Sequence, residues 1–310
     1  MQRREFLIGS AVALGASRGF LARAEAPPRR AQTAVAAKTD RLAIMTYSFS
    51  RILKLPGRPP GPNATLDFDD LPQMFADRYK VHNLEIQHGH FLSTEPSYFK
   101  DFLARLAKTK SRVTNINLEL GAMNISAADP AQRAQAVDLT RAWVDHAVTL
   151  GCPRVMINQG ALTEENKQTA IETLKIMSDY GKSRKIAVGA EPRGGGGGRR
   201  GGDAPAGPPP PPSYIILTEV LKAAGATSVP DIGNFGGDQD TQHAGMRAMF
   251  PITNGNCHIK VHEPPRYDLV AAIRLTRELG YKGLYSIEFE NPSDPYAGVQ
   301  TVYDALLANI

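Results

Sequence analysis

From Arg41 onward a short apolar run, a loop and an amphipathic stretch recur eight times, and this alternation restricts the chain more than any other feature. The strand-like runs are expected at Leu42–Phe49, Leu84–Gln87, Val113–Leu118, Arg154–Gly160, Ile186–Ala190, Thr227–Ile232, Cys257–His262 and Leu284–Glu290. The intervening stretches carry helical spacing; Tyr98, Phe99, Phe102, Leu103 and Leu106, for example, fall at i, i+3 and i+4. Pro130 suits the first position of a long helix that Gly151 ends, and Gly181 is read as the stop of the next one. Eight strand-helix units over about 270 residues match a (β/α)8 TIM barrel in number and length. The rival, a doubly wound open sheet, usually places a glycine-rich phosphate turn after its first strand. Thr46-Tyr47-Ser48-Phe49 is no such turn. The expected α/β fold is therefore a single-domain barrel over residues 39–310.

At 310 residues, with 42% hydrophobic and 22% charged residues, the composition is that of a globular protein with a substantial core. The net charge of +5 includes +2 from residues 1–25, where four arginines outnumber two glutamates. The remaining +3 is too little to argue for nucleic acid. The two cysteines, Cys152 and Cys257, have no C-x-x-C spacing, so a disulfide framework or cysteine-rich zinc site is not expected.

The N-terminus reads as an address. Arg3-Arg4-Glu5-Phe6-Leu7 precedes the apolar run Ile8–Gly15 and resembles the twin-arginine export signal. The run is too short for an ordinary transmembrane helix, so no stable membrane insertion is expected after processing. Ala22-Arg23-Ala24 and Ala24-Glu25-Ala26 are candidate cleavage sites. Residues 1–38 are thus read as signal peptide and linker. The resemblance implies the twin-arginine export machinery as a partner and a periplasmic or otherwise exported location. A second low-complexity segment, residues 194–213, combines glycine runs, Arg199-Arg200 and the prolines 208–212. It is read as an insertion in the loop after strand five, either a plain surface segment or a lid over the barrel mouth.

The chemistry is expected at the C-terminal strand tips, where a β/α barrel keeps its site. Glu191, Asp231, His258 and Glu288 are read as standing at or near the C-terminal ends of strands five to eight. Three carboxylates and an imidazole suit a divalent ion such as Mn2+, Co2+ or Mg2+ better than a closed zinc site. His262 shares the side-chain parity of His258 and competes for the ligand role, and Glu290 shares a face with Glu288. Asp231, after Pro230, has the plain alternative of starting a turn. Lys260, inward by the same parity, either holds a substrate oxygen or forms a structural salt bridge. His88 and His90 end strand two and either line the mouth or pack in the loop.

The order Glu191-Pro-Arg193-Gly, Pro230-Asp-Ile-Gly-Asn234-Phe, His258-Ile-Lys260 and Ser286-Ile-Glu288 resembles the sugar phosphate isomerase/epimerase superfamily of xylose isomerase-like barrels. The resemblance covers nearly the whole chain after residue 40. It implies metal ligands at Glu191, Asp231, His258 and Glu288, with Glu191 and Glu288 doubling as the acid/base pair. It also implies a supporting or substrate-contacting acid at Glu85. Asn234 stands where ketose epimerases commonly have a histidine. With Arg193, His88, Lys260 and His262 it completes the expected substrate-binding set.

The function this implies is proton abstraction next to a carbonyl through a metal-stabilised enediolate, giving isomerisation or epimerisation. Export favours a free or oxidised (keto) sugar or a glycoside over a phosphorylated sugar. A lyase or dehydratase using the same site, and a non-catalytic periplasmic sugar-binding barrel, are the alternatives. A multi-zinc phosphodiesterase barrel needs more histidines than the seven present. The sequence leaves open whether the chain forms a homo-oligomer.

Overall fold

The computed structural model describes residues 37–310 apart from 58, 60, 194–211, 237, 263–264 and 291–293. The expected export signal and most of the Gly/Pro insertion lie outside the described residues.

Eight parallel strands form one sheet: β1 (Leu42–Met45), β2 (Asn83–Gln87), β3 (Arg112–Leu118), β4 (Arg154–Ile157), β5 (Ala187–Ala190), β6 (Thr227–Ser228), β7 (Asn256–Val261) and β8 (Leu284–Phe289). Their order is β6-β5-β4-β3-β2-β1-β8-β7. The two ends of that order meet. Ser228 bridges Thr253, Asp231 bridges His258, and the His258 N–H donates to Pro230 O at 2.8 Å. The sheet is therefore a closed barrel, as the eightfold alternation predicts.

Strand six is shorter than its sequence suggests. The apolar run Thr227–Ile232 yields only two ladder residues, because Pro230 has no N–H to contribute. The chain turns at once into a short 3-10 segment, Ile232–Asn234. Gly233 makes that turn possible: a Cβ there would come within 2.7 Å of Lys260 O.

Eight helices pack outside: α1 (Leu71–Tyr79), α2 (Pro96–Thr109), α3 (Pro130–Leu150), α4 (Lys167–Ser183), α5 (Tyr214–Ala224), α6 (Gln239–Met249), α7 (Leu269–Glu278) and α8 (Pro295–Asn309). Aspartates cap several of them. Asp129, Asp238, Asp268 and Asp294 each accept a hydrogen bond from a first-turn N–H. Gly181 does not stop α4, which runs two residues further. A Cβ at Gly181 would sit 2.6 Å from Ile186 O and Val188 Cγ2, so this glycine admits a close approach of α4 to β5. The reversal falls instead on Lys185, with φ 61°.

The strand pattern separates two layers. Leu84, Ile86, Cys257, Ile259, Tyr285 and Ile287 face the helices and join the apolar core. Their neighbours, one residue out of phase, face the barrel interior. Glu85 meets Asn256 and His258 although β2 and β7 are separated in the sheet by β1 and β8, so these contacts cross the interior. Polar side chains thus fill the axis beneath the mouth.

Candidate metal centre and active site

The closure of the barrel sets the site. Asp231 Oδ1 accepts from Gly233 N at 2.9 Å, which holds the turn, and Oδ2 is left facing the axis. The turn reading and the ligand reading of Asp231 therefore describe its two oxygens. His258, one bridge away on β7, is fully buried, with Nε2 donating to Glu85 Oε1 at 2.6 Å and Nδ1 facing Glu191 Oε2 at 3.0 Å. Glu288 Oε2 lies 3.6 Å from the same Nδ1. One donor atom from each of Glu191, Asp231, His258 and Glu288 lies within 4.8 Å of the others. This is the set read from the strand tips; His262 is not in it. His262 follows the end of β7, and its Nε2 lies 3.4 Å from Gly233 O.

The cluster is short of positive charge. Glu85, Glu191, Asp231 and Glu288 are each at most 5% exposed, and two buried cations, His258 and Lys260, face them. Lys260 Nζ lies 3.0 Å from Glu288 Oε1, 3.4 Å from Asp231 Oδ2 and 3.5 Å from Glu290 Oε2. Asp231 Oδ2 and Glu288 Oε2 accept no hydrogen bond among the described residues. Two orphaned carboxylate oxygens beside an imidazole nitrogen and a third carboxylate fit a divalent cation.

The titration of these groups follows from burial and neighbours. Burial opposes ionisation of Glu85, but His258 and the Asn115 amide outweigh it and bring the carboxyl down to about 2. Burial also opposes charge on His258, and Glu85 and Glu191 overcome it, holding the imidazolium well above the usual histidine range. Glu191 is likewise desolvated, yet His258, Lys260 and Arg193 lower it below its ordinary value. Desolvation wins at the other two acids: Asp231 is raised to about 6 and Glu288 to about 8. Two glutamates at one opening thus lean in opposite directions.

A cavity of about 430 Å3 lies over the cluster. Of the expected substrate residues, Arg193, Asn234 and Lys260 line it, with Glu290 beside them. Arg193 Nη2 pairs with Glu119 at 2.8 Å, and its Nε is 3.9 Å from Glu191 Oε1. Glu85, expected as a supporting or substrate-contacting acid, is fully buried and held by Asn115, Asn256 and His258, which is the supporting position. Its place is behind the imidazole, where a carboxylate fixes the tautomer and ring of a ligand histidine. His88 lines an adjoining cavity, accepting from the Glu119 N–H at 3.2 Å. His90 is buried against Thr46.

Tyr47, Gln87 and Glu119 also line the cavity and were missed. All three stand at the end of a strand or within two residues of it, so the tip rule applied to β1, β2 and β3 would have found them.

The model of the Xylose isomerase-like TIM barrel family matches residues 75–206. No curated protein matches the chain. Among solved structures, D-psicose 3-epimerase from Clostridium cellulolyticum H10, determined with D-tagatose, is 11% identical with a TM-score of 0.63, covering 87% of this chain and 96% of that one. A sugar phosphate isomerase/epimerase from Parabacteroides distasonis is 16% identical with a TM-score of 0.62, covering 87% and 96%. The probable 3-DHS dehydratase AsbF from Bacillus anthracis is 12% identical with a TM-score of 0.60, covering 86% and 98%. At such identities the likeness is one of architecture. Over nearly its whole described length, then, the chain has the fold of the xylose isomerase-like barrels.

Proposed function

We propose that the protein is a divalent-metal-dependent carbohydrate isomerase or epimerase that moves a proton on the carbon next to a carbonyl. The observation that carries this reading is the buried cluster itself: Glu191, Asp231, His258 and Glu288 bring one donor atom each within 4.8 Å, with Glu191 and Glu288 facing one imidazole from two strands. Glu191, Asp231, His258 and Glu288 would hold the ion. When bound, it supplies Lewis-acid polarisation of the carbonyl and charge to offset the developing oxyanion. One of Glu191 and Glu288 takes the proton from carbon, and the same pair delivers one to the opposite face or the neighbouring atom. Lys260 donates to a substrate oxygen at the rim, and Arg193, anchored on Glu119, orients Glu191. Tyr47 and Met45 line the same cavity beside the cluster.

The test is incubation with free and oxidised keto-sugars in heavy water with Mn2+, followed by NMR of carbon-bound deuterium. Metal-dependent incorporation that disappears in Glu191→Gln and Glu288→Gln is the expected result. No incorporation on any ketose would sink the reading. A β-elimination at the same site is the second reading. The likeness to the probable dehydratase and the ammonium of Lys260, placed to assist a leaving oxygen, favour it. A product absorbing as an enone, rather than an isomer, would distinguish it. The exported location belongs to this proposal. Retention of an Arg3→Lys, Arg4→Lys variant in the cytoplasm of an expressing bacterium checks it.

A further inference from the structure

The cavity over the cluster does not end at the reacting centre. A second one, about 550 Å3, adjoins it and is bounded by Leu55, Pro56, His88 and Gly89. The two share Tyr47, Gln87 and Glu119 as wall residues. Gln87 is 6% exposed, and its Oε1 accepts no hydrogen bond among the described residues. Gln87 stands on the wall common to both spaces, and its buried amide oxygen, without a donor, would gain one from a hydroxyl of a ligand that spans them once the amide turns toward the cavity. The second space is built of two kinds of surface. Leu55, Pro56 and the Tyr47 ring are apolar, whereas His88 and Glu119 are polar. A sugar ring presents the same combination, a C–H face and a hydroxyl edge. His88 is held for that role by the Glu119 N–H, with its ring 5.6 Å from Trp143 in an edge-on contact.

We propose that this second cavity is a subsite for a second sugar ring, so that the protein takes a disaccharide whose keto-bearing ring lies over Glu191 and Glu288. The proposal rests on the reading of the first cavity given above. Its length along the mouth, rather than the chemistry of the cluster, then sets substrate size.

Two features make it testable. A Cβ at Gly89 would meet nothing within 4 Å, so a side chain can be added at this edge of the second space, and Gly89→Phe is chosen to obstruct it. Trp143 is the single tryptophan of the chain, and it touches His88. Its emission therefore reports occupancy whether or not turnover occurs. The full chain with Mn2+ is titrated with two matched pairs, D-fructose and maltulose, and 3-keto-D-glucose and 3-keto-maltose. The expected result is at least tenfold tighter binding of the disaccharide in one pair, with a change in Trp143 emission. Gly89→Phe should bring that pair within twofold while the monosaccharide is unaffected, and Gly89→Ala should keep the preference. Equal affinities within both pairs, no emission response to either disaccharide, or a preference that survives Gly89→Phe overturns the proposal. Disaccharide preference without deuterium exchange would refute the proton-transfer reading and leave the subsite standing. Equal kcat/KM within each pair, with exchange, would do the reverse.

Discussion

The two ends of the barrel use charge in opposite ways. At the floor, where the strands begin, Arg41, Arg112 and Arg154 lie between strands and give their guanidinium hydrogens to carbonyl oxygens. Arg154 Nε donates to Asn254 O at 2.8 Å and Nη1 to Thr114 O at 3.0 Å. Arg41 Nη2 donates to Tyr281 O at 3.0 Å, and Arg112 Nε to Asn83 Oδ1 at 2.7 Å. At the mouth, buried carboxylates outnumber the buried cations among the described residues, and two of their oxygens accept no hydrogen bond there. The floor ties strands together; the mouth holds charge ready for something else. In β/α barrels the C-terminal face carries chemistry and the opposite face stability, and the side chains here divide on that line.

That contrast fails if a mouth substitution harms folding more than chemistry, or a floor substitution does the opposite. The largest expected effect is at Glu191: Glu191→Gln should lower deuterium exchange by about 10^2–10^4-fold, with an unchanged circular dichroism spectrum. Glu85→Gln comes next. It removes the anion behind His258 and should weaken Mn2+ binding, measured calorimetrically, by about 10–100-fold. At the floor, Arg154→Ala strands two carbonyls and should cost about 1–3 kcal/mol in urea denaturation while activity per folded molecule is retained. Gly181→Ala, far from both ends, should cost a similar ~1–3 kcal/mol by overpacking α4 on β5.

A pH experiment sharpens the same point. Glu288 is raised from its ordinary 4.5 to about 8. The folded metal-free protein keeps a proton that the unfolded chain releases above about 4.5, so the contribution of Glu288 to stability is fully present below about 4.5 and is lost as pH rises through about 8. Between pH 5 and pH 8 in EDTA, the denaturation midpoint of the parent should therefore fall relative to that of Glu288→Gln.

The sequence carried the barrel because strand-like runs and helical spacing alternate eight times, with residues 194–213 set apart by their composition, and it carried the cluster because Glu191, Asp231 and Glu288 each follow an apolar run while His258 lies within one. It was less informative where a residue's neighbours come from distant strands. Nothing local marks Glu85 as the partner of His258, since the pairing is made across the barrel by residues 173 apart. Gly181 looked like a helix stop because glycine is common there, and the close approach of β5 that explains it is invisible in one dimension. Pro230 did signal its effect: a proline inside a strand-like run predicts a broken ladder.

The shortness of β6 has a mechanical corollary. Past Ser228, the edges of the sheet are joined through the Pro230–His258 hydrogen bond and the Asp231–His258 bridge, so the clasp of the barrel is made from the residues that would grip a cation. An ion held there would fasten the two edges to each other. Loading and zipping would then be one equilibrium, and the His258 amide would be an early proton to exchange when the ion is stripped away.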